Sequence, residues 1–340
     1  MSNKQIVFTD VNEAKLLQVD YVQPGPKDVV VKTAFSTISC GTERAKITGD
    51  PNVNASTEAS DVPPFPRTSG YNSAGVVVEV GSDVTSVKPG DRVVVFWGHH
   101  KIYNTVPEEN VVRIEDDRIS LQEAAISFIA TFSMAGMRKT RLEIGESVLI
   151  MGQGLLGQIA VQLTKAAGAV PVIAVDPIAE RRETALKLGA DYALDPTEAD
   201  FADRVKELTG GGANVAIEVT GLGIGLNQAL DCMAKFGRVS LLGCTRNPNF
   251  TVDYYRKIHF PGITLVGAHT KARPEHESHP GFFTHRDDIK AILRLCAAGR
   301  IDLRGMIAET HAPEDCQAVY TRLITDRAFP TVVQFDWTAL

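Results

Sequence analysis

Cysteine is scarce and scattered. The five residues, Cys40, Cys232, Cys244, Cys296 and Cys316, form no C-x-x-C pair. An odd, dispersed set argues against a disulfide framework and a structural zinc knot, and fits a reducing, cytoplasmic setting. No sign of charge dominates: 35 Lys and Arg face 41 Asp and Glu, a net of -6. That balance gives no electrostatic footing for nucleic acid or an anionic membrane as partner. No apolar run approaches the roughly 20 residues that a membrane helix needs. The opening residues, Met1-Ser2-Asn3-Lys4-Gln5, lead straight into a strand-like run rather than a signal-peptide core, so a cytoplasmic protein is expected. Repeats and low-complexity tracts are lacking. What remains is an ordinary soluble composition over 340 residues, long enough for two domains with ample cores.

The most informative stretch is Val148-Leu149-Ile150-Met151-Gly152-Gln153-Gly154-Leu155-Leu156-Gly157. A short, fully apolar run reads as a buried parallel strand. The glycine turn comes next, then a helical pattern with Leu156, Ile159, Ala160 and Leu163 on one face. In a G-x-G-x-x-G turn Gly152 permits the tight bend, Gly154 lets backbone approach a pyrophosphate, and Gly157 lets helix and strand pack closely. Leu155 and Leu156 supply the first N–H groups of the helix, which face the phosphates with the positive end of its dipole. A second apolar strand, 170–175, ends in Asp176, close to the roughly 20-residue separation expected for the carboxylate that binds a ribose 2′-OH. Strand, glycine turn, helix and acid together read as a dinucleotide site. Asp176 favours NAD over NADP, because a carboxylate accepts from the 2′-OH and repels a 2′-phosphate. Arg181 and Arg182 are the counterweight, and the plainer reading of them is a solvated helix face.

Elsewhere the chain changes texture twice. Up to about Arg118 the signals are short β-branched runs (28–35, 74–80, 92–96) between Pro/Gly/Asp turns, which predicts a compact, barrel-like β unit. The polar, proline-rich stretch from Gly49 to Pro66 is expected as a surface loop or a lid over a cleft. Helical periodicity starts near Leu121 with Ala124, Ala125, Phe128 and Ile129. Strands and helices then alternate: helix 179–188 stopped by Gly189, strand 192–194, helix 201–208, strand 215–219, helix 226–233, strand 238–242. Alternation of this kind predicts a parallel sheet with helices on both faces, and a ligand at the strand carboxyl ends. Those ends carry Gly152–Gly157, Asp176, Thr220-Gly221 and Gly243-Cys244. Beyond Val266 alternation stops. Residues 270–286 are polar and hold His276, His279 and His285, whose spacing matches no helical metal pair. An amphipathic helix (Ile289, Ile292, Leu293, Cys296) and a strand at 330–337 suggest a return to the first domain.

The whole chain resembles the medium-chain dehydrogenase/reductase superfamily, which includes the zinc alcohol dehydrogenases. The resemblance is carried by Gly75-Val76-Val77-Val78-Glu79-Val80-Gly81, by Val87-Lys88-Pro89-Gly90-Asp91-Arg92-Val93, and by the cofactor turn with Asp176. It implies a GroES-like catalytic domain (1–128), a Rossmann cofactor domain (129–268), a return segment (269–340) completing the first domain, and a cleft between the domains. It further implies that Thr131 approaches the nicotinamide and that Leu242-Gly243-Cys244 binds its carboxamide. Trp97 would wall the substrate pocket beside Cys40, and Thr42 would relay a proton. Members commonly dimerise through an edge strand of the cofactor domain. Residues 250–266 hold suitable apolar material, so a homodimer is expected.

The resemblance fails at the metal. Zinc members place a Cys in a C-G-[ST]-D turn, a His–Glu pair in G-H-E-x-x-G, and a third Cys or acid before the cofactor domain. Here the second motif reads Gly70-Tyr71-Asn72-Ser73-Ala74-Gly75 and the third position reads Ser127. Cys40 matches only loosely, since the spacing places Ser39 equally well. Catalytic zinc needs three ligands drawn from thiolate, imidazole and carboxylate, so no catalytic zinc is expected. Hydrogen-bond donors and a protonating side chain must then replace the ion. Tyr71, Thr42, His99 and His100 are the candidates, with a packed tyrosine and polar loop histidines as the plainer readings. The expected activity is NAD-dependent interconversion of a secondary alcohol, such as a polyol or sugar derivative, and its ketone. Reduction of an enone or quinone, and a non-catalytic dinucleotide-binding or redox-sensing role, stand beside it.

Overall fold

In the computed structural model residues 2–53 and 65–340 are described. The segment expected as a loop or lid from Gly49 to Pro66 lies largely outside them. The chain divides into two compact units. One comprises Met1–Ile129, Ile289–Ala298 and Leu303–Leu340, the other Ala130–Asp288 and Gly299–Asp302.

The first unit is β-rich. Its strands are β1 (Asn3–Asp10), β2 (Glu13–Val19), β3 (Asp28–Thr37), β4 (Arg67–Thr68), β5 (Asn72–Val80), β6 (Arg92–Phe96), β7 (Tyr103–Pro107) and β8 (Val111–Arg113). Strands β2, β1 and β4 form a small sheet, while β3, β5, β6 and β8 run consecutively in a larger one, with β7 paired to β3. Alternation along these strands sends Val29, Val31, Val77, Val93 and Val95 to one shared core. Helix α1 (Cys40–Ile47) follows β3 directly. The helical pattern that starts at Leu121 is broken in two, α2 (Leu121–Ala124) and α3 (Ser127–Lys139). Ser120 caps α2 by accepting from Glu123 N at 3.1 Å, the first half of a capping box.

The second unit alternates as its sequence pattern predicts. Its elements are β9 (Val148–Met151), α4 (Leu155–Ala166), β10 (Val172–Val175), α5 (Ala179–Lys187), β11 (Tyr192–Leu194), α6 (Phe201–Thr209), β12 (Ala213–Glu218), α7 (Gly223–Asp231), β13 (Met233–Leu241) and β14 (Thr264–Gly267). The strands form a parallel sheet in the order β11-β10-β9-β12-β13-β14. All four residues of β9 and of β10 are buried, as a sheet covered on both faces requires. The chain winds one way from β9 and the other way from β12. The switch point, where such sheets bind ligands, therefore lies at the carboxyl ends of β9 and β12.

The chain then returns through α8 (His285–Ala297), β15 (Glu309–His311), α9 (Cys316–Thr325) and β16 (Val333–Asp336). β16 pairs antiparallel with β3, and β15 extends that sheet. Tyr320, Phe335 and Trp337 from this segment share a core with Ile6 and Phe8. The resemblance closes the second domain at residue 268, whereas the chain stays in that unit through Asp288. The physical tie is a pair of guanidinium groups on one carboxylate: Arg138 of α3 donates to Asp288 at 2.7 Å and Arg273 at 3.1 Å.

Candidate active site

The dinucleotide cradle is assembled where the topology reverses. Gly152 leaves β9 with φ +95, a conformation that disfavours any side chain. A Cβ on Gly157 would sit 1.8 Å from Gly152 O, so only glycine lets α4 start this close to the strand. Gly154 occupies the N-cap of α4 without a side-chain cap bond, and a Cβ there would meet nothing within 4 Å. The uncapped first turn, with Leu155 and Leu156, offers N–H donors to open space, the arrangement that suits a phosphate. Asp176 is 4% exposed. Its carboxylate accepts from Gln153 N at 2.8 Å and from Ile178 N at 2.9 Å, so the acid and the glycine turn hold one another in place. The residues fit a dinucleotide.

Both arginines of α5 are partly exposed and lie near carboxylates. Arg181 reaches to 3.8 Å from the Asp176 carboxylate. Arg182 donates to Asp176 O at 2.7 Å and to Asp195 at 3.0 Å. Carboxylates within reach draw both side chains back along the helix.

On the other side of the switch point, Glu218 braces two turns. Its side chain accepts from Thr220 N at 2.8 Å, from Gly221 N at 3.2 Å and from the Thr220 hydroxyl. Its carbonyl accepts from Leu242 N and Gly243 N at 3.0 and 2.8 Å. Burial raises the carboxyl pKa, and the Thr220 and Gly221 donors counter it. Thr220, Gly221, Leu242 and Gly243 are thus tied to one residue that the motif search did not single out; Cys244 follows them, exposed. Thr131, fully buried in α3, meets His285 Nδ1 at 3.1 Å through its hydroxyl, and its carbonyl accepts from Arg273 at 3.0 Å. His276 and His279 are exposed, unlike His285.

In the first unit the candidate residues separate into two groups. Tyr71 donates to the Ser39 hydroxyl. Its ring meets Trp97 and Phe128, each at 5.8 Å between centroids, and Phe128 stacks on Phe96 at 5.2 Å. Trp97 is 37% exposed and holds φ 58, a conformation that costs a bulky residue energy and is concentrated at functional sites. Beside this cluster in sequence, Asn72 and Ser127 are 1% and 0% exposed, and none of their side-chain polar atoms has a partner among the described residues. Buried polar atoms left without partners are costly and point to a ligand or water.

The second group is sealed. His100 bonds Ser36 through Nδ1 at 2.7 Å and Glu43 through Nε2 at 3.1 Å. Tyr320 donates to Glu43 at 2.5 Å, and Trp337 Nε1 donates to Ser36 at 2.8 Å. Burial pushes the Glu43 carboxyl up, but His100, Tyr320 and Ser39 N together bring it below the usual range. His100 does not bond Tyr71 directly, but the Glu43 carboxylate it meets also accepts from Ser39 N at 2.9 Å, which links it to the Tyr71 cluster through Ser39. Thr42 is half-buried on α1. Cys40 turns its Sγ toward Thr331 O and Pro330 O, at 3.8 and 3.9 Å, while the Ser39 hydroxyl accepts from Tyr71.

His99, adjacent to His100, is partly buried, and its Nδ1 has no partner among the described residues. Burial, reinforced by Lys101 and Lys46, pushes its pKa down to about 4. Burial and Arg273 push that of His285 down to about 3. Both histidines stay neutral when folded and protonate near pH 6.5 when unfolded, so their contribution is full above pH 6.5 and is lost as pH falls toward 4 and then 3. Urea midpoints should drop as pH falls from 7 to 5. H99Q should flatten that slope, removing roughly 1–2 kcal/mol of the difference between those two pH values; an unchanged slope would contradict the burial argument.

By the resemblance, a zinc ion would be held at the positions of Ser39 or Cys40, Tyr71, Asn72 and Ser127, of which only Cys40 offers a thiolate. The other donors are hydroxyls, a phenol and an amide, which do not fit a site built from thiolate, imidazole or carboxylate. Among the described residues no group of three His, Cys, Asp or Glu is placed to hold a metal.

A parallel α/β unit with a dinucleotide cradle, next in the chain to a β-rich unit with an aromatic polar cluster, defines an alcohol dehydrogenase-like oxidoreductase. Comparison with known proteins agrees. Residues 25–116 match the family described as alcohol dehydrogenase GroES-like domain, and residues 156–280 the one described as zinc-binding dehydrogenase. The chain is 33% identical over 306 residues to L-threonine 3-dehydrogenase of Pyrococcus horikoshii, covering 78% of this chain and 83% of that one. It is 35% identical over 205 residues to D-guloside 3-dehydrogenase of Escherichia coli K12, covering 59% and 58%. Among solved structures, an alcohol dehydrogenase zinc-binding domain protein from Burkholderia ambifaria superposes with a TM-score of 0.84 at 20% identity, over 99% of both chains. The chain belongs to the zinc-type medium-chain dehydrogenase/reductase superfamily, with a GroES-like and a Rossmann domain.

Proposed function

We propose that the protein interconverts a secondary alcohol of an uncharged polyol or glycoside with its ketone, using NAD(H) and no catalytic zinc. The Asp176 carboxylate, held at the lip of the glycine turn by Gln153 N and Ile178 N, carries this reading. Gly152, Gly154, Leu155, Leu156 and Gly157 would hold the pyrophosphate, and Asp176 the ribose hydroxyls. Thr220-Gly221, Leu242-Gly243-Cys244 and Thr131 would line the nicotinamide end. Bound NAD supplies the hydride acceptor. The substrate class follows from the aromatic surface of Trp97, Tyr71 and Phe128 beside buried, uncharged Asn72 and Ser127. A ring with one apolar face and several hydroxyls matches such a surface. Two relatives, named for dehydrogenation of threonine and of a guloside, bracket the choice. The cluster's uncharged donors favour the second.

One observation favours the rival enone or quinone reductase. Arg181, 3.8 Å from Asp176, partly offsets the charge that would repel a 2′-phosphate. Steady-state assays separate the two readings. Turnover of neutral polyols or glycosides with at least tenfold preference for NAD supports the dehydrogenase; NADPH-driven reduction of enones alone overturns it. Tight NADH binding with no turnover of either class would leave the redox-sensing role.

A cytoplasmic homodimer completes the proposal. β14 ends its sheet with Thr264 and Leu265 exposed, an edge that invites pairing with a second copy.

A further inference from the structure

We propose that Tyr71 is the proton-transfer group of this enzyme and that Ser39 is its positioning partner. The inference rests on the dehydrogenase reading above. Both side chains are buried, and the phenol donates to the Ser39 hydroxyl. Neither group drifts. The Tyr71 ring is packed edge-on to Phe128 and against Trp97. Ser39 is fixed from two sides by one residue: its N donates to Glu43 Oε1 at 2.9 Å, and its carbonyl accepts from Glu43 N at 2.9 Å.

The alternatives are weaker on geometry. His100 has both ring nitrogens engaged by Ser36 and Glu43. His99 spends one ring nitrogen on the backbone of Gly70 and, with its pKa pushed down to about 4 by burial, is a neutral imidazole with no imidazolium proton to give at neutral pH. A second observation concerns residues adjacent in sequence to this cluster. Asn72, next to Tyr71, and Ser127, next to Phe128, are buried with polar side-chain atoms that no described residue satisfies. Such atoms await the hydroxyls of a bound molecule or ordered water.

The step balances. In the reductive direction the carbonyl carbon of the substrate takes a hydride from the reduced nicotinamide dinucleotide. The C=O π pair moves to oxygen, and that oxygen takes the phenolic proton of Tyr71. Ser39 then turns its own O–H toward the phenolate until water returns the proton. Oxidation runs the same sequence backward, with the alcohol O–H proton passing to the phenolate as the C–H pair leaves. The net change is ketone, reduced dinucleotide and one proton going to alcohol and oxidised dinucleotide.

The test uses the full-length protein, a ketone or alcohol that the wild type turns over, and two variants. General acid catalysis contributes about 10²–10⁴ in rate, so Y71F should lose that factor in kcat while its NADH dissociation constant changes less than about twofold. In ketone reduction the alkaline limb of the wild-type kcat–pH profile should vanish in Y71F. S39A keeps the phenol but removes its acceptor; it should shift that limb and lower kcat about tenfold, with Ser39→Thr restoring both. Should Y71F fail to fold, S39A and Ser39→Thr carry the test alone. Y71F activity within tenfold of wild type with an unchanged pH profile, or an S39A profile that does not move, overturns the pair and leaves the dehydrogenase reading standing. A wild type that turns over no alcohol or ketone with either cofactor overturns that reading and this inference together.

Discussion

Glu43→Ala should melt about 10 °C below the wild type. The carboxylate is 1% exposed and makes four contacts with three partners: one with Ser39 N, two with His100 Nε2 and one with Tyr320 OH. Tyr320 also meets Ser69 at 3.1 Å, so the network ties α1, the loop after β6 and the returning helix α9 within one unit. Removing the acceptor at the centre of a buried, charge-assisted hydrogen-bond cluster costs about 3–5 kcal/mol, because the remaining groups lose their partner without regaining water. At roughly 2–4 °C per kcal/mol for chains of this size, a shift near 10 °C follows. Glu43→Gln, which keeps the shape and one acceptor, should lose about half as much. Differential scanning calorimetry reads both, and a Glu43→Ala transition within about 2 °C of wild type would remove the network from the stability account.

Asp176→Ser should reverse the cofactor preference. The serine hydroxyl no longer repels a 2′-phosphate, and the Arg181 guanidinium that now faces the carboxylate at 3.8 Å faces the phosphate instead. Loss of a charge-assisted bond to the ribose is worth about 1.5–3 kcal/mol, or about 10- to 100-fold in NADH affinity. A comparable gain for NADPH would move the ratio by about 100-fold or more. Part of the loss is structural, since Gln153 N and Ile178 N must find another acceptor. Fluorescence titration of both reduced dinucleotides measures the ratio, and an unchanged NADH-to-NADPH ratio would show that Asp176 does not read the ribose.

The legible part of the molecule was the part whose physics is local. Buried parallel strands must be apolar on both faces, so β9 and β10 announce themselves as Val148–Met151 and Val172–Val175. The glycine turn is legible because each glycine answers a steric demand within a few residues. The networks were not legible, because their members are distant. Glu43 and His100 are separated by 57 positions, Glu43 and Tyr320 by 277, and nothing in local pattern links them. His99 and His100 look alike in sequence, but in the loop between β6 and β7 His100 bonds Ser36 and Glu43 while His99 bonds the backbone of Gly70. The ambiguity between Ser39 and Cys40 has the same origin. Spacing alone places either one, and only the fold shows which of them turns to Tyr71. The polar run after residue 268 reads as the start of the return, but the two arginines that bind Asp288 keep it with the cofactor unit.

The central claim is dehydrogenation with NAD in a site whose donors do not suit zinc. Its most direct test is turnover of the polyol and glycoside panel by protein dialysed against a strong zinc chelator, with metal content measured on the same sample. Full activity with NAD at less than about 0.1 zinc per chain is the predicted result, since zinc would need ligands that Tyr71, Asn72 and Ser127 do not provide. Activity that disappears on chelation and returns with stoichiometric zinc would contradict it.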